Sequence, residues 1–126
     1  MRLLLAATLV LLLAACAVPP GGEVGLTEVA SRPAEKALLA GIRAYDDGQY
    51  ADAEAQLGSA LKAGLVSSRD RAAANKYLAF IYCTSNRAGQ CEAAFRAARQ
   101  ADPSFALTKS EAGHPLWGPV YRRALP

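Results

Sequence analysis

From residue 33 onward, apolar side chains recur at helical spacing, and no window alternates apolar and polar residues long enough to read as a strand. Pro33, suited to a first helical turn, precedes a stripe of Leu38, Leu39, Ile42 and Tyr45 that Gly48 interrupts. Tyr50, Ala53, Leu57, Ala60 and Leu61 renew the period until Gly64 stops it. Ser67 or Ser68 is placed to cap a third helix bearing Ala73, Lys76, Tyr77, Phe80 and Ile81, which breaks at Ser85-Asn86-Arg87. A fourth runs from about Gly89 to Ala101 with Cys91, Ala94, Phe95 and Ala98 on its apolar stripe, and Asp102-Pro103 ends it. Breaks this short make consecutive helices antiparallel neighbours. The reading is an all-α chain of paired helices.

The pairs repeat. At an offset of 38 residues Gly41 matches Ala79, Ala53 matches Cys91, Leu57 matches Phe95, and Ala60 matches Ala98. Both stretches, and above all Gly48-Gln49-Tyr50-Ala51-Asp52-Ala53, resemble the tetratricopeptide repeat (TPR), whose period is about 34 residues. The excess fits an insertion between Gly64 and Arg69; the missing proline at Leu65 leaves the turn there undefined. The resemblance covers residues 33–103 and implies two antiparallel helix hairpins. It also implies a concave face lined by the first helix of each repeat, with Leu38, Leu39, Ile42, Tyr45, Asp46, Tyr77, Phe80 and Thr84 as groove residues for a protein partner.

Two repeats are fewer than the three a stack usually needs, so residues 104–126 are expected to cover the second. Thr108-Lys109-Ser110-Glu111 has the spacing of a capping box. A last helix is expected to begin near Pro115, with Leu116, Trp117, Val120 and Tyr121 on one face. The tail reads as a capping segment; the alternative is a partner-binding arm that docks Trp117 elsewhere.

The other end is not part of this domain. Residues 3–15 are uncharged, follow Met1-Arg2, and inflate the 52% apolar composition. As a helix they span roughly 20 Å at about 1.5 Å per residue, short of a bilayer core of about 30 Å. Residues 1–15 therefore read as a signal peptide. Its end, Leu13-Ala14-Ala15-Cys16, resembles the lipobox of bacterial lipoproteins at all four positions. That implies a thioether-linked lipid on Cys16, cleavage before it, and acylation, for example with palmitate, of the new amine. An ordinary secretory signal with an incidental cysteine is the alternative. Ala17, rather than an aspartate, implies sorting to the outer membrane, periplasm-facing. Residues 16–32, with Pro19, Pro20, Gly21, Gly22 and Gly25, read as a flexible tether, of which residues 17–31 reach about 50 Å at most.

Removing Arg2 with the signal leaves 13 basic residues against 11 acidic, too small an excess for nucleic acid. Cys83 and Cys91 remain as an even pair flanking the second hairpin turn; in an oxidising compartment they read as a disulfide, or else as two small buried thiols. Neither the lone His114 nor Asp46-Asp47 has partners placed for catalysis or metal binding. Arg96, Arg99, Arg122 and Arg123 read as scattered solvated charges, or together as a basic surface. No enzyme, cofactor, metal or small-molecule substrate is expected. Lipobox, repeats, cysteine pair and the tail Glu111-Ala112-Gly113-His114-Pro115-Leu116-Trp117-Gly118-Pro119-Val120 together resemble small TPR lipoproteins associated with type VI secretion systems. The implied function is an outer-membrane adaptor for a protein partner in the cell envelope. A structural accessory in outer-membrane protein or cell-wall assembly is the alternative.

Overall fold

The computed structural model describes residues 25–126. The signal-like run, Cys16 and most of the tether lie outside the described residues. The fold is all-α: α1 (Leu26–Ser31), α2 (Pro33–Asp46), α3 (Tyr50–Ala63), α4 (Ser68–Thr84), α5 (Ala88–Ala101), α6 (Lys109–Ala112) and α7 (Gly118–Ala124). Two TPR-like hairpins, α2/α3 and α4/α5, carry most of the packing, and α7 lies on α5.

The offset of 38 holds at the level of backbone geometry. The first hairpin turns through Gly48 at φ 74° and the second through Asn86 at φ 62°, equivalent positions that both need a left-handed residue. In the same turns Gln49 N–H donates to Ala44 O at 2.8 Å, and Arg87 N–H donates to Tyr82 O at 2.8 Å. Small residues set the helix approach. A Cβ added at Gly41 would lie 2.8 Å from Leu57 Cγ and 3.1 Å from Leu57 N, so α2 and α3 close to a distance that only glycine permits there. Ala79, Ala53 and Cys91 are fully buried at the matching contacts, and Leu57 and Phe95 fill the space between helices. Full burial of one such large side chain contributes about 1.5–3 kcal/mol.

Ser67 is the cap of α4, its hydroxyl accepting from Asp70 N–H at 3.3 Å. The insertion before it is pinned. Leu65 is buried, and Arg71 Nη1 donates to Leu65 O at 2.8 Å and Val66 O at 2.9 Å. The two repeats are tied at the other end by Arg87, whose guanidinium forks onto both Glu54 oxygens at 2.8 Å.

Three expectations need correction. Residues 26–31, assigned to a flexible tether, form α1, which packs against α2. The last helix begins at Gly118 with Pro119, not Pro115, in its first turn. A Cβ at Gly118 would come within 2.4 Å of Ala112 O, so α6 and α7 meet at this glycine and the chain turns until it is passed. Leu116 consequently points to solvent, 54% exposed, rather than sharing a face with Trp117.

Candidate functional site

The face on which the TPR resemblance places a groove is built by α2, α4 and the tail. Tyr45, in the last turn of α2, is its centre. Its ring lies 5.0 Å from Tyr77 of α4 and 5.5 Å from Tyr50 at the start of α3, edge-on to both. Edge-to-face geometry suits the ring quadrupoles and leaves ring surface for a ligand. Tyr50 is half exposed, and Tyr45 and Tyr77 are partly so. Burial pushes the Tyr45 phenol up to about 12, with Tyr50, Tyr77, Asp46 and Glu111 adding to it. It stays neutral through the physiological range.

Beyond Tyr77 the tail takes over the face. Trp117 stacks on Phe80 with ring centroids 4.1 Å apart and planes 21° apart, and His114 stacks on Trp117 at 3.4 Å. Two rings that close to one indole occupy its opposite faces, so Trp117 is sandwiched. Its Nε1–H donates to Glu111 O at 2.7 Å. Glu111 is the hub beneath. The capping box is complete, with Glu111 N–H donating to Thr108 Oγ1 at 3.1 Å and Thr108 N–H to Glu111 Oε2 at 2.9 Å. Lys76 Nζ donates to Glu111 Oε1 at 2.8 Å while standing 5.0 Å from the Tyr77 ring centroid. Burial raises the Glu111 carboxyl, but the hydrogen bonds from Lys76 and Thr108 outweigh it and hold the group below the usual carboxylate range.

Of the residues assigned to the groove, Ile42, Tyr45 and Tyr77 are half-buried on this face, and Asp46 and Thr84 are exposed. The Thr84 hydroxyl donates back to Phe80 O at 2.8 Å. Phe80, Leu38 and Leu39 are corrections: Leu39 is exposed at the rim where α1 meets α2, away from Tyr45. Phe80 is 3% exposed under Trp117, and Leu38 is 5% exposed; both belong to the core. Tyr50 falls on the α3 stripe by period, yet its ring completes the tyrosine cluster. Its place as the first residue of α3, one step outside the buried series Ala53, Leu57, Ala60, is the signal that finds it. At this end Tyr50, Glu54, Ile81, Thr84 and Arg87 line a cleft of about 320 Å³. The Arg87 hydrogen bonds hold the Glu54 carboxyl below its ordinary range.

Cys83, in the last turn of α4, and Cys91, in the first turn of α5, are joined as a disulfide with Cα atoms 5.2 Å apart. The bridge closes the hairpin turn that presents Arg87. The four arginines near the C-terminal end are occupied locally. Arg96 and Arg123 both pair with Glu92, Arg99 Nε donates to Phe105 O at 2.9 Å, and Arg122 Nη1 donates to Ala112 O at 3.1 Å. Arg96 and Arg123, which share Glu92, stay more than half exposed. Cys16 lies outside the described residues. Comparison with family models, with curated proteins and with solved structures returns no match.

Proposed function

We propose that this chain is an outer-membrane lipoprotein with its domain in the periplasm, anchored through Cys16, and that it holds a protein partner as an adaptor for an envelope-spanning secretion machine of the type VI class. The observation that carries the adaptor reading is the partly exposed Tyr45–Tyr50–Tyr77 cluster. Tyrosine supplies large amphipathic contact area at low entropic cost, which is why it is enriched at protein interfaces and hot spots. The tail is not a competing arm, since Trp117 is spent on Phe80. The same face argues for binding without chemistry. The Glu111 carboxylate is committed to Lys76 and Thr108, Glu54 to Arg87, and the central phenol is held neutral. The secretion assignment rests on the lipobox and on the resemblance carried by the tail.

A photo-crosslinking residue at Tyr50 tests this in cells, with the same residue at exposed Ala93 of α5 as control. The expected result is an adduct with a secretion-apparatus component from position 50 and none from position 93. Equal yields from both positions overturn the adaptor face. An adduct with cell-wall machinery instead overturns the secretion assignment.

A further inference from the structure

We infer that the outer side of α2 is a membrane-apposed face that lies on anionic phospholipid. Several cations of the described residues are held by hydrogen bonds or ion pairs elsewhere in the fold. Lys76 is paired with Glu111 and Arg87 with Glu54, Glu92 takes Arg96 and Arg123, and Arg71, Arg99 and Arg122 donate to backbone carbonyls. The side chains of Arg32, Lys36 and Arg43 have no such partner among the described residues. Lys36 and Arg43 are seven apart on α2, with Leu39 and Ala40 between them on the same side, and Arg32 continues the line at the N-cap. Lys36, Leu39, Ala40 and Arg43 are all exposed. The other cations without such a partner, Lys62, Arg69 and Lys109, sit on three different helices.

This stripe also has the right neighbours. Leu39 is 51% exposed and Leu26, at the start of α1, is 88% exposed. Both line the apolar rim where α1 meets α2. Cations flanking exposed leucines match the headgroup region of an anionic bilayer, where side chains of this kind bury apolar stems and leave the charge at phosphate level. Glu35 and Asp70 also line this rim, but Glu35 is 5% exposed and accepts from Val66 N–H, and the remaining nearby carboxylates are Glu28 on α1 and Asp46-Asp47 at the far end. The chain arrives from the same side: Leu26 is ten residues from Cys16, a reach of about 33 Å at most. A lipid on Cys16 therefore keeps this face near the bilayer and leaves the tyrosine face of the neighbouring helix stripe open to a partner. The inference rests on the lipid-anchor reading for that proximity; the charge pattern stands without it.

The test uses the mature lipidated chain with Ala40→Cys carrying an environment-sensitive fluorophore, and Ala93→Cys as control, on vesicles containing quencher-labelled lipid. Position 40 is expected to be quenched on phosphatidylglycerol-containing vesicles and released by high salt, and position 93 to be unquenched. Each Lys or Arg near an anionic surface strengthens attachment about fivefold. The triple variant Arg32→Gln, Lys36→Gln, Arg43→Gln is therefore expected to lower the face-down population on the order of 100-fold, with unchanged circular dichroism. Equal quenching at positions 40 and 93, or no effect of the triple variant, overturns the inference. Flotation with neutral phosphatidylcholine vesicles reports on the anchor separately. A chain that fails to float there refutes the lipid on Cys16, while quenching at position 40 on anionic vesicles still decides the face.

Discussion

Trp117→Ala probes how a two-repeat stack holds together. Trp117 is 9% exposed, its ring lies between Phe80 and His114, and its Nε1–H is bonded to Glu111 O. Truncating a buried Trp to Ala costs about 3–5 kcal/mol. A domain of this size has a total stability of about 5–15 kcal/mol, so the variant loses a large share of it. With a urea m-value of about 1–3 kcal/mol per M, the midpoint moves down by roughly 1–5 M. There is an alternative route to the same deficit. If the tail undocks while the repeats stay folded, the cost is capped at the free energy of docking, and m falls because Phe80 and Tyr121 are already exposed before unfolding. Trp117→Phe separates stacking from the hydrogen bond. Glu111 O keeps a bond from His114 N–H at 3.1 Å, so this variant is expected to lose only about 1 kcal/mol from that source. Urea titrations followed by circular dichroism measure all three chains. A loss below about 1 kcal/mol for Trp117→Ala at unchanged m, set against the 3–5 kcal/mol expected, would refute the claim that the tail is the missing cover of the second repeat.

Gly41→Ala places a methyl against Leu57 Cγ and Leu57 N; because backbone cannot swing aside as a side chain does, the expected cost is about 1–3 kcal/mol, read as a lowered Tm. Glu111 titrates below the usual carboxylate range in the folded state, held there by Lys76 and Thr108 against the upward push of burial. Its contribution is present above the ordinary glutamate pKa and is lost as pH falls through the depressed folded value. Stability measured from neutral pH into acid should therefore fall less steeply in Glu111→Gln than in the parent, and identical slopes would exclude that role.

How much of this was legible beforehand differs from residue to residue. The repeat was readable because its determinants are local and periodic. A small residue at Gly41 and Ala79, a large one at Leu57 and Phe95, and a turn former at Gly48 and Asn86 recur at one offset. The capping box at Thr108 and Glu111 was readable for the same reason, since its partners are three residues apart. Phe80 was not. Tyr77 and Phe80 follow the same helical stripe, and nothing within α4 says that a tryptophan 37 positions away will cover one and leave the other at the surface. The start of α7 was misplaced because Pro115 and Pro119 each suit a first turn, and the choice was made by the close approach of Gly118 to Ala112 O.

Periodicity and residue size determined by themselves that the chain forms helices, that they pair as hairpins, and where the hairpins turn, because those outcomes depend on neighbours within a few residues. Which aromatic rings become core and which remain a surface, and that Arg87 meets Glu54 and Lys76 meets Glu111, was decided only when segments far apart in the chain met. Burial and ion pairing are properties of the packed assembly, and contacts of that range leave no period in the sequence to be read.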